Sequence, residues 1–322
     1  MKKRLVSLVA IMLCLVMVLS GCGIGKKSYP TKAIDVTILF GAGFSADLGM
    51  RTLIDVVTKE KEITMVANNR TGGGGAVGYQ YVLSQPADGY NVCWNSSSIS
   101  TSYHLGTMPE DQDYTAFEEV CCVSKEPFYF VVSKDAPWET FEDFVQDALA
   151  NPGVYKVNNS AVGCFGHLVT LQMFGATGVD MQQMFDDATY VTGLVNGDCD
   201  MSVCLYPDCA GLLESGDVRL LAVASPERVS TLPDVMTCAE QGYDVDLEMY
   251  RGVTVKAGTD PEIIKYLEEA FLSAIESEEY QNFCTQYNVT PFPMSAADFK
   301  TYTAEQDELI ANLLDQIDMK VQ

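Results

Sequence analysis

Two short glycine-rich stretches carry the residue pattern best suited to chemistry. Gly41-Ala42-Gly43-Phe44-Ser45-Ala46 fits G-x-G-x-x-A, and Gly73-Gly74-Gly75-Ala76-Val77-Gly78 fits G-x-G-x-x-G. Each follows a strand-like run and opens a helix-like one. In a dinucleotide site such glycines let the backbone approach a pyrophosphate, and an acidic residue about 20 positions on takes the ribose. Here the next strands end in Asn68-Asn69 and Asn95-Ser96-Ser97. Neither supplies that carboxylate, so an NAD-type binding protein stands only as an alternative. A simpler property remains. A turn that opens a helix leaves backbone N–H groups unpaired at the positive end of the helix dipole, which suits a carboxylate as well as a phosphate. Gly41 to Asp47 is one such turn and Asn159 to His167 is another. Facing each other across a cleft, they would hold the two ends of a small anion; taken singly, each also reads as an ordinary strand-to-helix turn.

Cys164 and His167 offer a second chemistry. A thiol at a helix start with an imidazole one turn on is an arrangement that lowers a thiol pKa and makes a nucleophile. A secreted lipoprotein with thiol hydrolase activity is therefore the other alternative, although no acidic residue stands near His167 to orient it. Asp186-Asp187 and Asp198-x-Asp200 follow no Ca²⁺-loop pattern and read as solvated acids. With His104 and His167 the only histidines, no metal and no cofactor is expected.

Composition narrows the partners. Lys plus Arg total 20 against 44 Asp plus Glu, a formal charge of −24. That excludes nucleic acid and argues against docking on anionic lipid through protein charge. A hydrophobic share of 48% is ample for packed cores. Lys2, Lys3 and Arg4, the apolar run Leu5 to Ser20 and the small pair Ser20-Gly21 describe a secretory signal. Cys22 then sits where a bacterial lipobox carries its lipidated cysteine. Residues 1–21 are expected to leave as signal peptide, with residues 22–28 as a lipidated tether. A single-pass anchor is the alternative for the same run. The body would stand outside the cytoplasmic membrane, anchored to its outer face, on the periplasmic side where an outer membrane exists. Of eleven cysteines, Cys14 goes with the signal and Cys22 with the lipid, leaving an odd number. A disulfide among Cys199, Cys204 and Cys209 and a set of small buried thiols both remain open.

Strands and helices alternate along the chain. Strands are expected at 34–40, 63–67, 90–94, 154–157, 200–203, 218–223 and 252–255, and one or two more within 121–132. Helices are expected from Ala46, up to Ser84, over 139–150 and from Phe165, with a helical tail over 261–277 and 296–314. Such βαβ units imply largely parallel sheets, and the length implies two α/β domains. Pro127 to Val131 reads as a crossing point.

The ordered motifs resemble a known family. Tyr29-Pro30-Thr31-Lys32-Ala33-Ile34 leading to Phe40-Gly41-Ala42-Gly43-Phe44-Ser45-Ala46-Asp47 is similar to the opening of the tripartite tricarboxylate transporter receptors, the Bug family. Asn69-Arg70-Thr71-Gly72-Gly73-Gly74-Gly75, Pro86-Ala87-Asp88-Gly89-Tyr90, Gly166-His167-Leu168, Gly197-Asp198-Cys199-Asp200, Leu232-Pro233-Asp234-Val235, Arg251-Gly252 and Ala257-Gly258-Thr259 match later family segments in order. The resemblance implies a two-domain, periplasmic-binding-protein-like (type II) Venus flytrap, each domain a mixed, mainly parallel sheet flanked by helices. Residues 29–128 plus 251–322 would form domain 1 and residues 129–250 domain 2. The function implied is that of an extracytoplasmic receptor, monomeric, that binds a small carboxylate between its domains and delivers it to the membrane permease subunits.

By position, the resemblance implies ligand contacts at Gly43, Phe44, Ser45, Asp47, Ser96 and Ser97 in domain 1, and at Ser160, Gly163, Cys164 and Phe165 in domain 2. Phe44 and Ser45 depart from the family's loop, so Phe44 would either stack on a ring-bearing ligand or narrow the pocket. Asp47 would orient an amine-bearing ligand or stabilise its own loop. Arg251 would pair with a second carboxylate or stand unpaired at the surface. Which carboxylate binds is not encoded in contacts made by backbone amides.

Overall fold

The computed structural model describes residues 29–317 except residue 187. The signal segment, the tether and Cys22 lie outside the described residues, as does Asp187. The elements of the sheet and its helices belong to one unit that begins at Ala33.

The first half of the sheet begins with βαβ units. β1 (Ile34–Ile38) leads through α1 (Ser45–Lys61) to β2 (Met65–Asn69), then through α2 (Ala76–Ser84) to β3 (Asn91–Ser96) and α3 (Ser98–His104). β1 pairs in parallel with both β2 and β3, and parallel neighbours require crossover segments of this kind. Ile34, Val36 and Ile38 on one face and Thr37 on the other are fully buried, which fits a strand covered on both faces.

The long strand β4 (Phe117–Ser133) then joins the two halves. Its residues 117–127 pair antiparallel with β9 (Glu248–Lys256), and its residues 128–133 pair with β7 (Met201–Leu205) and β8 (Val218–Ala224). Pro127, opposite Glu248 at the start of β9, marks the handover. A residue without an N–H is tolerated where one ladder ends and another begins. The segment expected as one or two strands is thus a single strand, and the expected crossing point lies within it.

The second half is built from α4 (Phe141–Ala150), β5 (Lys156–Asn159), α5 (Phe165–Thr177), β6 (Gln182–Phe185), α6 (Gly193–Asn196) and α7 (Tyr206–Glu214), together with β7 and β8. β5 lies parallel to β6 and β7. The chain returns through β9, which lies antiparallel between β3 and β4. It ends with α8 (Pro261–Ile275), α9 (Glu278–Tyr287), β10 (Thr290–Met294) and α10 (Ala296–Ile317). The main path through the sheet is β2-β1-β3-β9-β4-β7-β5-β6.

α10 touches both halves. Phe299 near its start packs on Tyr250 and Cys122 of the first half, whereas Ile310 and Leu314 join the aromatic core of Phe128, Phe130, Phe141 and Phe144 in the second. Gly252 makes the first contact possible. A Cβ there would stand 2.3 Å from two ring carbons of Phe299 and 2.8 Å from the Cys121 carbonyl oxygen. Gly252→Ala is therefore expected to cost about 1–3 kcal/mol through overpacking, and Phe299→Leu in that background should recover part of it. Urea unfolding of the single and double variants measures both; an unchanged midpoint for Gly252→Ala would show that α10 is not pressed on β9.

Candidate functional site

The β1–α1 turn is shaped by Gly43, whose φ of +86° lies in the left-handed region that favours glycine. Phe44 caps α1 in an extended conformation without a side-chain hydrogen bond, so the first amides of the helix must find other acceptors. The N–H of Ser45 donates to Asp208 Oδ1 at 2.6 Å. Asp208 lies on α7, in the other half of the sheet. The Tyr190 hydroxyl (2.5 Å) and the Leu205 N–H (3.4 Å) donate to its Oδ2. Burial pushes the Asp208 carboxyl up to about 6, against the lowering effect of its hydrogen bonds from Tyr190 and Ser45 and the nearby charge of Arg251.

A second chain of contacts starts from the same serine. Ser45 Oγ donates to Glu126 Oε2 at 2.7 Å, and Arg251 Nε donates to Glu126 Oε1 at 2.8 Å. Arg251 Nη2 also reaches Ser45 Oγ at 3.4 Å. Both charged residues are buried, with Arg251 3% exposed. The surface alternative for Arg251 is thereby overturned. Its guanidinium sits inside the molecule against a carboxylate of the protein, as a buried cation requires.

The opposing turn opens α5. Gly163 has φ +79°, and its N–H donates to His167 Nδ1 at 3.3 Å, so the neutral ring carries its proton on Nε2. The Phe165 N–H donates to Ser98 Oγ, across from the first half, at 3.2 Å. Cys164 caps the helix, its sulfur accepting from the His167 N–H. Here the nucleophile alternative finds no support. Burial pushes the Cys164 thiol up and takes the His167 ring down to about 4. A neutral thiol beside a neutral imidazole is the reverse of an activated pair, because the desolvation that the sequence does not reveal outweighs the helix start.

The two turns meet one cavity. Phe44, Ser45 and Ala46 line it from α1, and Cys164, Phe165 and Gly166 from α5. The cavity volume is about 40 Å³, enough for only a few waters. Of the residues singled out from sequence, Phe44, Ser45, Ser160, Cys164, Phe165 and Arg251 line it; Gly43, Asp47, Ser96, Ser97 and Gly163 do not. Phe44 packs on Tyr190 with ring centroids 5.5 Å apart and narrows the space. Asp47 steadies its own loop, accepting from the Gly43 N–H, Asn69 and Arg51. Burial works against its ionisation, but these bonds hold its carboxyl below the usual range. Ser96 Oγ accepts from the Ser98 N–H and Ser97 Oγ from the Tyr250 N–H. Both serve backbone placement.

Four polar residues at the site escaped the sequence reading, Asp208, Tyr190, Glu126 and Ser98, as did apolar lining from Phe40, Phe128 and Met249. Asp208 follows Pro207 in the first turn of α7 and resembles any dipole-favoured acid. Glu126 lies in a strand beside a proline and carries no motif.

The second glycine cluster serves packing. A Cβ on Gly74 would lie 2.6 Å from the Gly163 carbonyl carbon, and one on Gly78 would lie 2.6 Å from Leu39 Cδ2. Ser102 Oγ stands within 3.1 Å of both the Gly74 and Gly163 carbonyl oxygens. Backbone meets backbone here. The Asn69-Arg70 pair that precedes the cluster is also structural, Arg70 holding Asp35 and Thr37. Among the described residues, nine cysteines are free and buried, Cys199, Cys204 and Cys209 included; no helix is long and apolar enough to cross a membrane.

The tripartite tricarboxylate transporter family receptor matches residues 50–319, and the chain belongs to that family of solute-binding receptors. Its fold is the α/β periplasmic-binding-protein-like fold, a mixed sheet flanked by helices. BugT of Bordetella pertussis is 25% identical over 304 residues, covering 92% of this chain and 93% of BugT. An R. palustris protein solved with adipate superposes with a TM-score of 0.85 at 23% identity, over 91% of this chain and 99% of that one. MatC of Rhodopseudomonas palustris, solved with malate, gives 0.82 at 19%, over 89% and 100%.

The buried pair of ionisable groups sets a pH dependence with two opposed parts. His167 stays neutral in the folded protein down to about 4, whereas its ordinary value is 6.5. The unfolded chain takes the proton first, so stability is lost as pH falls from 6.5 towards 4, by at most about 3 kcal/mol. Asp208 runs the other way: its folded value of about 6 lies above 3.8, so its contribution is present at low pH and lost as pH rises through that window. His167→Asn should flatten the low-pH loss, and Asp208→Asn should steepen it, in melting curves taken across the range. Parallel curves for all three proteins would contradict the assignment.

Proposed function

We propose that this chain is the carboxylate receptor of a tripartite transporter, closing two lobes on a small carboxylate and passing it to the membrane permease subunits. Residues 29–128 plus 251–322 form one lobe and residues 129–250 the other, with β4 and β9 as the connection. The observation that supports this most is the single cavity reached by both helix starts. A carboxylate there would exchange water for backbone N–H groups and hydroxyls at two positive helix ends. Relatives of the same fold solved with adipate and with malate support the choice of anion.

The present cavity is far smaller than the several hundred Å³ usual for ligand pockets. The lobes must therefore part for entry, and Pro127 and Glu248, where β4 changes partners, are the natural place for that bend. Phe44, Ser45, Ser160, Cys164, Phe165 and Arg251 then face the ligand. Gly43, Asp47 and Gly163 shape the turns, and Ser96 and Ser97 hold the end of β3. The body acts as a monomer, tethered through lipid on Cys22 at the outer face of the cytoplasmic membrane; the basic start and the small residues before Cys22 support this.

A thermal-shift panel of mono-, di- and tricarboxylates tests the reading. Some carboxylate at about 100 times its dissociation constant should add about 2.7 kcal/mol, a shift of a few degrees, while NAD should add nothing. An unmoved melting curve with every acid, together with a hydrolysis abolished by Cys164→Ser, would sink it. For the anchor, Cys22→Ser should move the protein from the membrane fraction to the soluble one.

A further inference from the structure

The two helix starts at the cavity are chemically unequal. At α1 the Ser45 N–H already holds a protein carboxylate, Asp208, at 2.6 Å. At α5 the corresponding Phe165 N–H holds only the neutral Ser98 hydroxyl. The cation expected to serve a second ligand carboxylate, Arg251, is engaged by Glu126 at 2.8 Å. Around the cavity there are thus two protein carboxylates to one guanidinium, and Asp47 close by is balanced by Arg51 at 2.7 Å.

We propose that Asp208 makes this receptor selective for monocarboxylates with an apolar tail. It occupies the anion position at the start of α1 while Glu126 holds Arg251, so a second ligand carboxylate meets negative charge at both places. The ligand's one carboxylate takes the start of α5, where a neutral hydroxyl is readily exchanged and the dipole is uncompensated. Its tail lies among Phe40, Phe44, Phe128, Tyr190 and Met249, which line the same cavity. A hydrocarbon tail gains from burial among these rings, whereas a carboxylate carried there would be desolvated beside Asp208, with Arg251 already paired to Glu126.

The inference rests on the receptor reading, and matched acids separate the two. The full chain is titrated calorimetrically at about pH 8, where Asp208 is ionised, with hexanoate against adipate and benzoate against terephthalate. In at least one pair the monocarboxylate should bind at least about tenfold more tightly, about 1.4 kcal/mol. Asp208→Asn, which keeps the shape and removes the charge, should shrink that preference by about tenfold through a gain in dicarboxylate affinity; Asp208→Ala provides a second variant. A dicarboxylate that binds the unaltered protein as tightly as its partner acid overturns the proposal and leaves the receptor reading standing. So does a preference unchanged in both variants. Failure of all four acids to bind overturns both.

Discussion

An α-helix that begins inside a protein must hand its first N–H groups to something, and an anion is the partner it favours. In this chain the start of α1 solves that requirement with Asp208, drawn from the opposite half of the sheet. The bond does more than cap a helix. It fixes α1 against α7, brings Tyr190 over the turn onto Phe44, and sets Ser45 so that its hydroxyl joins the buried pair of Glu126 and Arg251. The glycine turns bring the remaining surfaces together, since only Gly74 lets the β2–α2 turn lie on the backbone of Gly163.

The elements that make this possible were largely visible in the sequence. Apolar runs flanked by glycine, proline and aspartate mark β1 and β3, and the glycine-bearing turns before α1 and α5 mark those helix starts; β5, Lys-Val-Asn-Asn, begins two residues later than the expected strand. What stayed hidden is polar or lacks pattern. β6 opens with Gln182-Gln183, α9 is mostly polar, and β10 holds Pro291 and Pro293 and pairs with β4 off the main path of the sheet. No apolar alternation announces β6 or β10, whereas α9 carries a short apolar stripe at Tyr280, Phe283, Cys284 and Tyr287 that the sequence reading passed over.

The site shows the same division more sharply. The turns themselves were legible because glycine positions and helix starts are local properties. Their partners were not, because Ser45 and Asp208 lie 163 residues apart and Arg251 and Glu126 lie 125 apart. Burial was equally invisible. It raises the pKa of the Cys164 thiol and lowers that of the His167 ring, and it sets Arg251 against Glu126 as half of an internal ion pair at the cavity wall.

The most direct test of the central claim, that opposed helix starts hold the ligand, is an amide ¹H–¹⁵N titration with whichever carboxylate stabilises the protein. The expected result is saturable movement of the Phe165 and Gly166 signals, shared by Ser45 and Ala46 across the cleft, with one midpoint that matches the thermal gain. Shifts confined to residues outside both turns, with those amides unmoved at saturation, would contradict it.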